Sequence, residues 1–463
     1  MSNVHDFGAM GDGVHDDTDA ILHALKDGGG VLEFPRGDYR ITRPIVIELK
    51  DTGRISIHGT GGVAKLLMHG PGPVFDLRGT HAASAAPSGF KPGVWQHERM
   101  PTISNIEIEG KHPEADGVKI VGVMQPTLTG VLIREVRNAV HITGRARNVL
   151  ISHCHLFHNT GINVWLDRVN LHQTIITGSH ISYGRLGGIR IENSEIRNLQ
   201  ITGNDIEYNN SRSHNVPDAD DLPTAEIYIE CGETGTVREV TISSNTIQAT
   251  YSKNGANIRM IGSPTPDRQK AGMLTISANV IGSQETNVHL TSCRGITLEG
   301  NYIYSGHHRN LLLEHCKSIL IGANCFGHNP DYHENELCTG IRLEDCENCT
   351  MTGLQIQDAQ AGEHTVKDVV PIKREGLIEL IRCQRLNLTG IQVLEGTPYG
   401  LYVEDTSDTV ITGSSILDTR AEPKTAAAIK WVGSGSHNLI ANCRINRPID
   451  APAHVKMADN VVT

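Results

Sequence analysis

The stretch Ile201-Thr202-Gly203-Asn204-Asp205-Ile206 returns as Leu298-Glu299-Gly300-Asn301-Tyr302-Ile303. An apolar residue stands two before a small one, and another two after an Asn. Related copies place Cys154, Ser179, Asn204, Asn245, Asn279, Asn301, Asn324, Leu354, Ile391, Ser414 and Asn442 at one structural position, at intervals of 25, 25, 41, 34, 22, 23, 30, 37, 23 and 28 residues. The shortest intervals define the unit. A period of 22 to 25 residues made of short alternating segments, with no helical pattern between them, predicts one turn of a parallel β-solenoid per copy.

A second recurring segment precedes a cysteine position. It runs from 161–166 and 187–192 through 225–230, 257–261 and 287–290 to 428–432, and Cys231, Cys293, Cys316, Cys346 and Cys383 fall just after it. Stacked coils lie about 4.8 Å apart, so these thiols are expected to form a buried ladder of small apolar groups without oxidation. Only 4% of the 463 residues are aromatic and 48 are Gly, which suits a core of stacked Ile, Val and Leu with frequent tight turns. The fold expected is all-β, a single-stranded parallel β-helix of about 11 to 12 coils. Residues 1–45 read as its N-terminal cap and 46–463 as one continuous solenoid domain.

The cap segment carries Asp6-Phe7-Gly8-Ala9, Gly11-Asp12-Gly13, Asp16-Asp17-Thr18 and Phe34-Pro35-Arg36-Gly37-Asp38-Tyr39. Carboxylates before Thr18 can accept from the free N–H groups of a helix start, so one capping helix is expected after it. This series resembles the N-terminus of the pectate-lyase-like superfamily of right-handed parallel β-helices. The resemblance implies a right-handed solenoid and a polysaccharide-related role. That superfamily holds hydrolases, lyases, epimerases, fructotransferases and phage tailspikes, with homotrimers common among them, so it leaves the chemistry open.

Side chains alternate along a strand, so placing Ile189, Ile191, Ile227 and Ile229 inside turns their neighbours outward. The outward set is Asn163 and Trp165, Arg190 and Glu192, Glu226, Tyr228 and Glu230, Arg259, His289, then Leu312 and Glu314, Arg342 and Glu344, Glu379, Tyr402 and Glu404, and Lys430. Stacking surface, charge-assisted donors and titratable groups together are what a sugar-binding groove needs. If Glu192 and Glu230 are equivalent on consecutive coils, their backbones lie about 4.8 Å apart and repulsion raises one carboxyl pKa. Glycoside hydrolysis uses such a carboxyl pair. Glu192, Glu230 and Glu226 are therefore the expected catalytic groups; Arg190, Tyr228, Arg259, His289, Trp165, Arg212 and His214 are the expected substrate contacts. Arg190, Arg259, His289 and Tyr228 equally suit a lyase or epimerase that removes a proton beside a uronate carboxylate. A noncatalytic glycan-binding or tailspike-like solenoid is the third reading.

Insertions at about 76–101, 207–224, 326–338 and 357–376 read as groove walls. Asp12, Asp16 and Asp17, and Asp218, Asp220 and Asp221, carry oxygens that calcium takes, but turns and caps are the commoner use of such residues. His153, Cys154, His155 and His158 do not converge as zinc requires. No metal or other cofactor is expected. A formal net charge of −11, from 41 basic and 52 acidic residues, with no long Lys/Arg block, argues against nucleic acid. No apolar run is long enough for a membrane helix, and the first residues lack the layout of a secretory signal, so a cytoplasmic protein acting on an oligo- or polysaccharide, possible as a homotrimer, is expected.

Overall fold

The computed structural model describes residues 2–83, 89–214, 223–263, 271–329, 340–358, 369 and 372–463. The chain forms two compact units, one of Met1–Pro217 with Ala225–Val240 and the other of Asp218–Thr224 with Thr241–Thr463. Each is a stack of parallel-strand coils around a core of Ile, Leu and Val side chains at or near zero exposure.

Pairing in the first unit starts inside the cap segment. Ser2 and Asn3 register with Leu32 and Glu33, Val31–Phe34 with the strand Ser56–Gly59, and Gly37–Ile41 with Ala64–Met68. The expected helix spans Thr18–Asp27 and buries Ile21, Ala24 and Leu25 on one face. Its two preceding carboxylates divide their work. Asp16 accepts from Thr18 N at 3.1 Å, whereas Asp17 turns back and accepts from Met10 N at 2.6 Å and Gly11 N at 3.2 Å. Asp17 therefore pins the entry loop rather than capping the helix with its side chain.

The repeated Asn position is a hydrogen-bond ladder. In unit 2, Asn301 Nδ2 donates to Asn324 Oδ1 at 2.9 Å, and Asn301 Oδ1 accepts from the backbone and side-chain nitrogens of Asn279, both at 3.0 Å. In unit 1 Cys154 N donates to Ser179 Oγ and Ser179 N to Asn204 Oδ1, each at 3.1 Å. The residue before most rungs is left-handed: Gly203 and Gly300 at φ 67°, but also His153, Ser244 and Ala278 between 54° and 58°; Ala323, before Asn324, is not. That explains the small residue in the motif, since a Cβ there is strained by roughly 1–2 kcal/mol. The last aligned copy is displaced by one residue. Asn442 is itself left-handed, and Cys443 is the rung, with its N–H donating to Asn460 Oδ1 at 3.0 Å.

The cysteine ladder is present. Cys231, Cys293, Cys316, Cys346 and Cys383 are buried free thiols. Cys316 Sγ points to Leu290 O at 3.3 Å and Cys383 Sγ to Leu343 O at 3.5 Å. Ser194 and Thr406 contact carbonyls in the same way, at Leu166 O and Leu380 O. The position thus selects a small group with a weak donor. Among the described residues no helix is long and apolar enough to cross a membrane.

Candidate functional site

Two outward-facing clusters emerge, one in each unit. In unit 1 the register pairs Trp165 with Arg190 and Asp167 with Glu192, then Arg190 with Tyr228 and Glu192 with Glu230. The expected alignment of Glu192 and Glu230 on consecutive coils is therefore met. Trp165 Nε1 donates to Glu192 Oε2 and Arg190 Nη2 to Glu192 Oε1, both at 2.9 Å. Tyr228 Oη donates to Glu230 Oε2 at 2.8 Å while the Arg190 guanidinium lies 4.2 Å over its ring. Tyr228 is only 3% exposed, and burial raises its pKa before the neighbouring carboxylates add to the effect. The His141 ring stacks on Trp165 at 4.4 Å, and its Nε2 lies 3.4 Å from Asp167 Oδ2. Burial lowers the His141 pKa against the pull of Asp167. Asp167, which strand parity places beside Trp165, completes a row of carboxylates on three successive coils.

Glu226 does not belong to that row. Expected outward, it is fully buried: its Oε1 accepts from Asn209 N at 2.9 Å, and Asn209 Nδ2 donates to its Oε2. Asn163, also expected outward, is fully buried and donates to Asn209 Oδ1 at 2.8 Å. Both positions lie near the start of their strands, Ile162–Thr177 and Ala225–Glu230, and are buried by packing against Asn209 although they share the parity of exposed neighbours. Gly188 leaves the gap that Asn209 enters; a Cβ on it would meet Asn209 Nδ2 at 2.9 Å. In unit 2 Asn257, Asn287 and Asn310 form a buried ladder, with Asn257 Nδ2 donating to Asn287 Oδ1 at 2.9 Å and Asn287 Nδ2 to Asn310 Oδ1 at 2.6 Å. Burial pushes the Glu226 pKa up to about 8, outweighing the two Asn209 donors. A carboxyl with no exposed surface cannot touch a glycan, so Glu226 is a structural group.

The insertion after Glu207 turns through the short 3-10 helix Ser211–His214. His214 Nε2 contacts Tyr183 O at 2.6 Å, and burial lowers its pKa. Arg212 is half-buried in the same turn. Asp218, Asp220 and Asp221 lie outside the described residues.

In unit 2, Arg259 and His289 pair in register and line a cleft of about 280 Å³ with Asn254, Glu285, His308, Glu314 and Arg342. His289 Nε2 is 2.6 Å from Glu314 Oε2, and this hydrogen bond holds the Glu314 carboxyl below the usual range against its partial burial. A carboxylate only accepts, so the Nε2 that faces Glu314 carries a proton. Arg259 Nη2 donates to Asn254 O at 2.7 Å. Arg342 is shared between Glu344 at 2.7 Å and the buried Glu379 at 3.2 Å. For Glu285, burial raises the pKa, but hydrogen bonds from His308, Asn254 N and Tyr251 bring it below the usual value. The cleft thus joins guanidinium groups to an oriented imidazole, a set suited to holding an acidic sugar and moving a proton.

A family model described as right handed beta helix region matches residues 93–221 and 225–366, and one described as rhamnogalacturonase A/epimerase, pectate lyase-like matches residues 1–70. Alginate lyase 7 of Azotobacter vinelandii is 54% identical over 44 residues, 9% of this chain and 5% of that protein. Mannuronan C5-epimerase AlgE5 of the same organism is 52% identical over 44 residues, 9% of this chain and 4% of that protein. The matched stretch is thus a small part of these relatives' length. Among solved structures, pre-mature bacteriophage phi29 gene product 12 aligns with a TM-score of 0.58 and 13% identity over 98% of this chain and 57% of its own. Bacteriophage CBA120 tailspike protein 3 aligns at 0.51 and 13% over 96% and 61%. At such identity the likeness is one of fold. With the family model covering more than half of its residues and parallel coils stacked in both units, the chain belongs to the right-handed β-helix family.

Proposed function

We propose that the protein is a carbohydrate-active enzyme that abstracts a proton beside the carboxylate of a uronate, in the cleft of unit 2. The observation that carries this reading is the His289–Glu314 pair at 2.6 Å on a cleft wall shared with Arg259 and Arg342. Glu314 orients the imidazole, and His289 takes the proton through its other ring nitrogen. Arg259 and Arg342 neutralise the sugar carboxylate as negative charge spreads into it. Return of a proton to the other face gives epimerisation; loss of the neighbouring glycosidic oxygen gives elimination. The names of the alginate lyase and the mannuronan epimerase describe these same two outcomes.

A second reading, hydrolysis by Glu192 and Glu230, rests on their shared register and half-exposed position. In its favour are an adjacent indole and guanidinium; against it, both oxygens of Glu192 already accept from obligate donors. One experiment separates the two. Wild type, His289→Ala and Glu230→Gln are incubated with a panel of acidic and neutral oligosaccharides, and reducing ends, the ultraviolet absorbance of an unsaturated sugar, and solvent deuterium entering the uronate are followed together. Absorbance or deuterium lost in His289→Ala alone supports the cleft. Reducing ends without either signal, lost in Glu230→Gln alone, would overturn it in favour of hydrolysis.

A further inference from the structure

A column of basic side chains climbs unit 1 further along the same sheet, seven residues past Trp165 on the strand Ile162–Thr177. Arg147 in the strand Val140–Ser152 registers with His172, and His172 with Arg197. Coils lie about 4.8 Å apart, so the three side chains stack within roughly 10 Å and repel one another when charged. Arg145 stands one pleat away and donates to Ala83 O at 2.5 Å and Asn170 Oδ1 at 3.2 Å.

The acidic groups nearby neutralise the column only in part: Arg197 forms a long ion pair with Glu195, and its Nη1 donates to Ile196 O and Thr236 O. Glu98 accepts from Thr80 N and Thr80 Oγ1. Glu195 takes Asn170 Nδ2 at 2.9 Å and is 3.9 Å from Arg197. Glu239 acts on His172 only at a distance. Among the described residues neither Arg145 nor Arg147 makes an ion pair, and Nε and Nη1 of Arg147 are shielded from solvent with no hydrogen-bond acceptor. Burial lowers the pKa of Arg147; it also lowers that of His172, with Arg147 and Arg197 adding to the effect. The Arg147 guanidinium is held 4.7 Å over the Phe90 ring, which lies parallel to Trp95 at 6.3 Å, and Arg99 sits 4.9 Å from Trp95. This stack fixes a cation in place, and with Nε and Nη1 shielded from solvent Arg147 acts on a ligand through its charge.

We propose that the Arg147, His172 and Arg197 column is a second binding site, one that takes the carboxylate or sulfate groups of an acidic glycan chain. It rests on the reading above only for the choice of a glycan as the chain. Donors arranged at a regular spacing suit a polymer carrying repeated oxyanions, and guanidinium binds these groups through charge-assisted pairs. Nucleic acid fits less well. Both aromatic rings are already stacked against each other and a guanidinium, so a base has no ready platform.

Calorimetric titration with an oligouronate, a sulfated oligosaccharide, a neutral oligosaccharide of equal length and a short single-stranded DNA tests the site. The variants are Arg197→Gln and His172→Gln, which leave the Phe90 stack intact, each checked by its melting profile. One or both anionic glycans bind and the neutral one does not; Arg197→Gln weakens the interaction about tenfold, as expected for a lost hydrogen bond to a charged group, and added salt weakens it further. Tighter binding of the DNA, equal binding of the neutral glycan, or unchanged affinity in both variants would overturn the proposal. His289→Ala retains this binding while losing turnover. Arg197-dependent binding without turnover of any glycan would sink the catalytic reading alone, and turnover with no effect of either variant on binding would sink this one alone.

Discussion

Glu226 offers the sharpest test, because its substitution by Gln removes a titration that the fold displaces far from its solution value. The Asn209 amide is fixed: its Oδ1 accepts from Gly184 N and Asn163 Nδ2, and its Nδ2 donates to Ile181 O, all at 2.8 Å. Two donors from Asn209 therefore always face residue 226, and a Gln amide nitrogen there opposes one of them. That penalty, about 1–3 kcal/mol for an unmet buried donor, does not vary with pH. The titration does. With its pKa raised from 4.5 to about 8, Glu226 keeps its proton in the native state after the unfolded chain has released it. Its contribution to stability is fully present below the unfolded value and falls as pH rises toward the folded one. Each pH unit in that window removes about 1.4 kcal/mol, on the order of 5 kcal/mol in all. At roughly 2.1 cal/mol/K per residue, the 463 residues convert this to about 5 °C. Melting temperatures of wild type and Glu226→Gln across this window give the difference directly, and titrations elsewhere, such as those of His141 and His214, cancel. The difference should decline steadily and flatten above the folded pKa. A difference that stays constant with pH would show that the Asn209 donors keep Glu226 ionised, and the burial argument would fail.

Glu314→Gln should lower turnover on a uronate substrate by about 10²-fold or more if Glu314 orients the base, with little change in KM; an unchanged kcat measured by the unsaturated-sugar or deuterium signal would remove Glu314 from the mechanism. Asn301→Leu leaves Asn279 N and Ile276 O without partners and should destabilise the protein by about 2 kcal/mol or more, read as a lower denaturant midpoint. Ala278→Gly relaxes a left-handed alanine at φ 54° and should stabilise the protein by roughly 1 kcal/mol, read as a higher midpoint, whereas Gly300→Val should lower it. Cys316→Ser should be tolerated, since Ser194 and Thr406 hold equivalent places, while Cys316→Leu should cost about 1–3 kcal/mol through overpacking; equal melting of the two would refute the ladder as a size filter.

The solenoid was legible because its signals repeat. Gly203, Gly300 and most of their aligned counterparts mark a left-handed turn, and where an Asn follows it marks a side chain that bonds to the next coil. The one-residue displacement at Asn442 shows the limit of that reading. An asparagine satisfies both the left-handed position and the rung, so residue type alone does not separate Asn442 from Cys443; the pairing of Thr412 with Ala441 does.

The site was legible only where alternation holds. Trp165, Arg190, Glu192 and Glu230 obey alternation, and their pairing follows from counting residues between coils. Glu226 is four residues before Glu230 and has the same parity, yet it packs against Asn209 and is fully buried. Nothing in an alternating pattern announces that burial; the nearest clue is the recurrence of asparagine at Asn163, Asn257, Asn287 and Asn310, where outward residues should vary. The His289–Glu314 contact was hidden for another reason. Register sets His289 opposite Leu312 and Thr291 opposite Glu314, so the imidazole and carboxylate meet diagonally. Diagonal neighbours lie within reach of long side chains, but rotamers, rather than spacing, decide whether they meet. The chemistry of such a surface is therefore set by contacts one step removed from the register that builds it, which is why a confidently read coil can leave its reaction open.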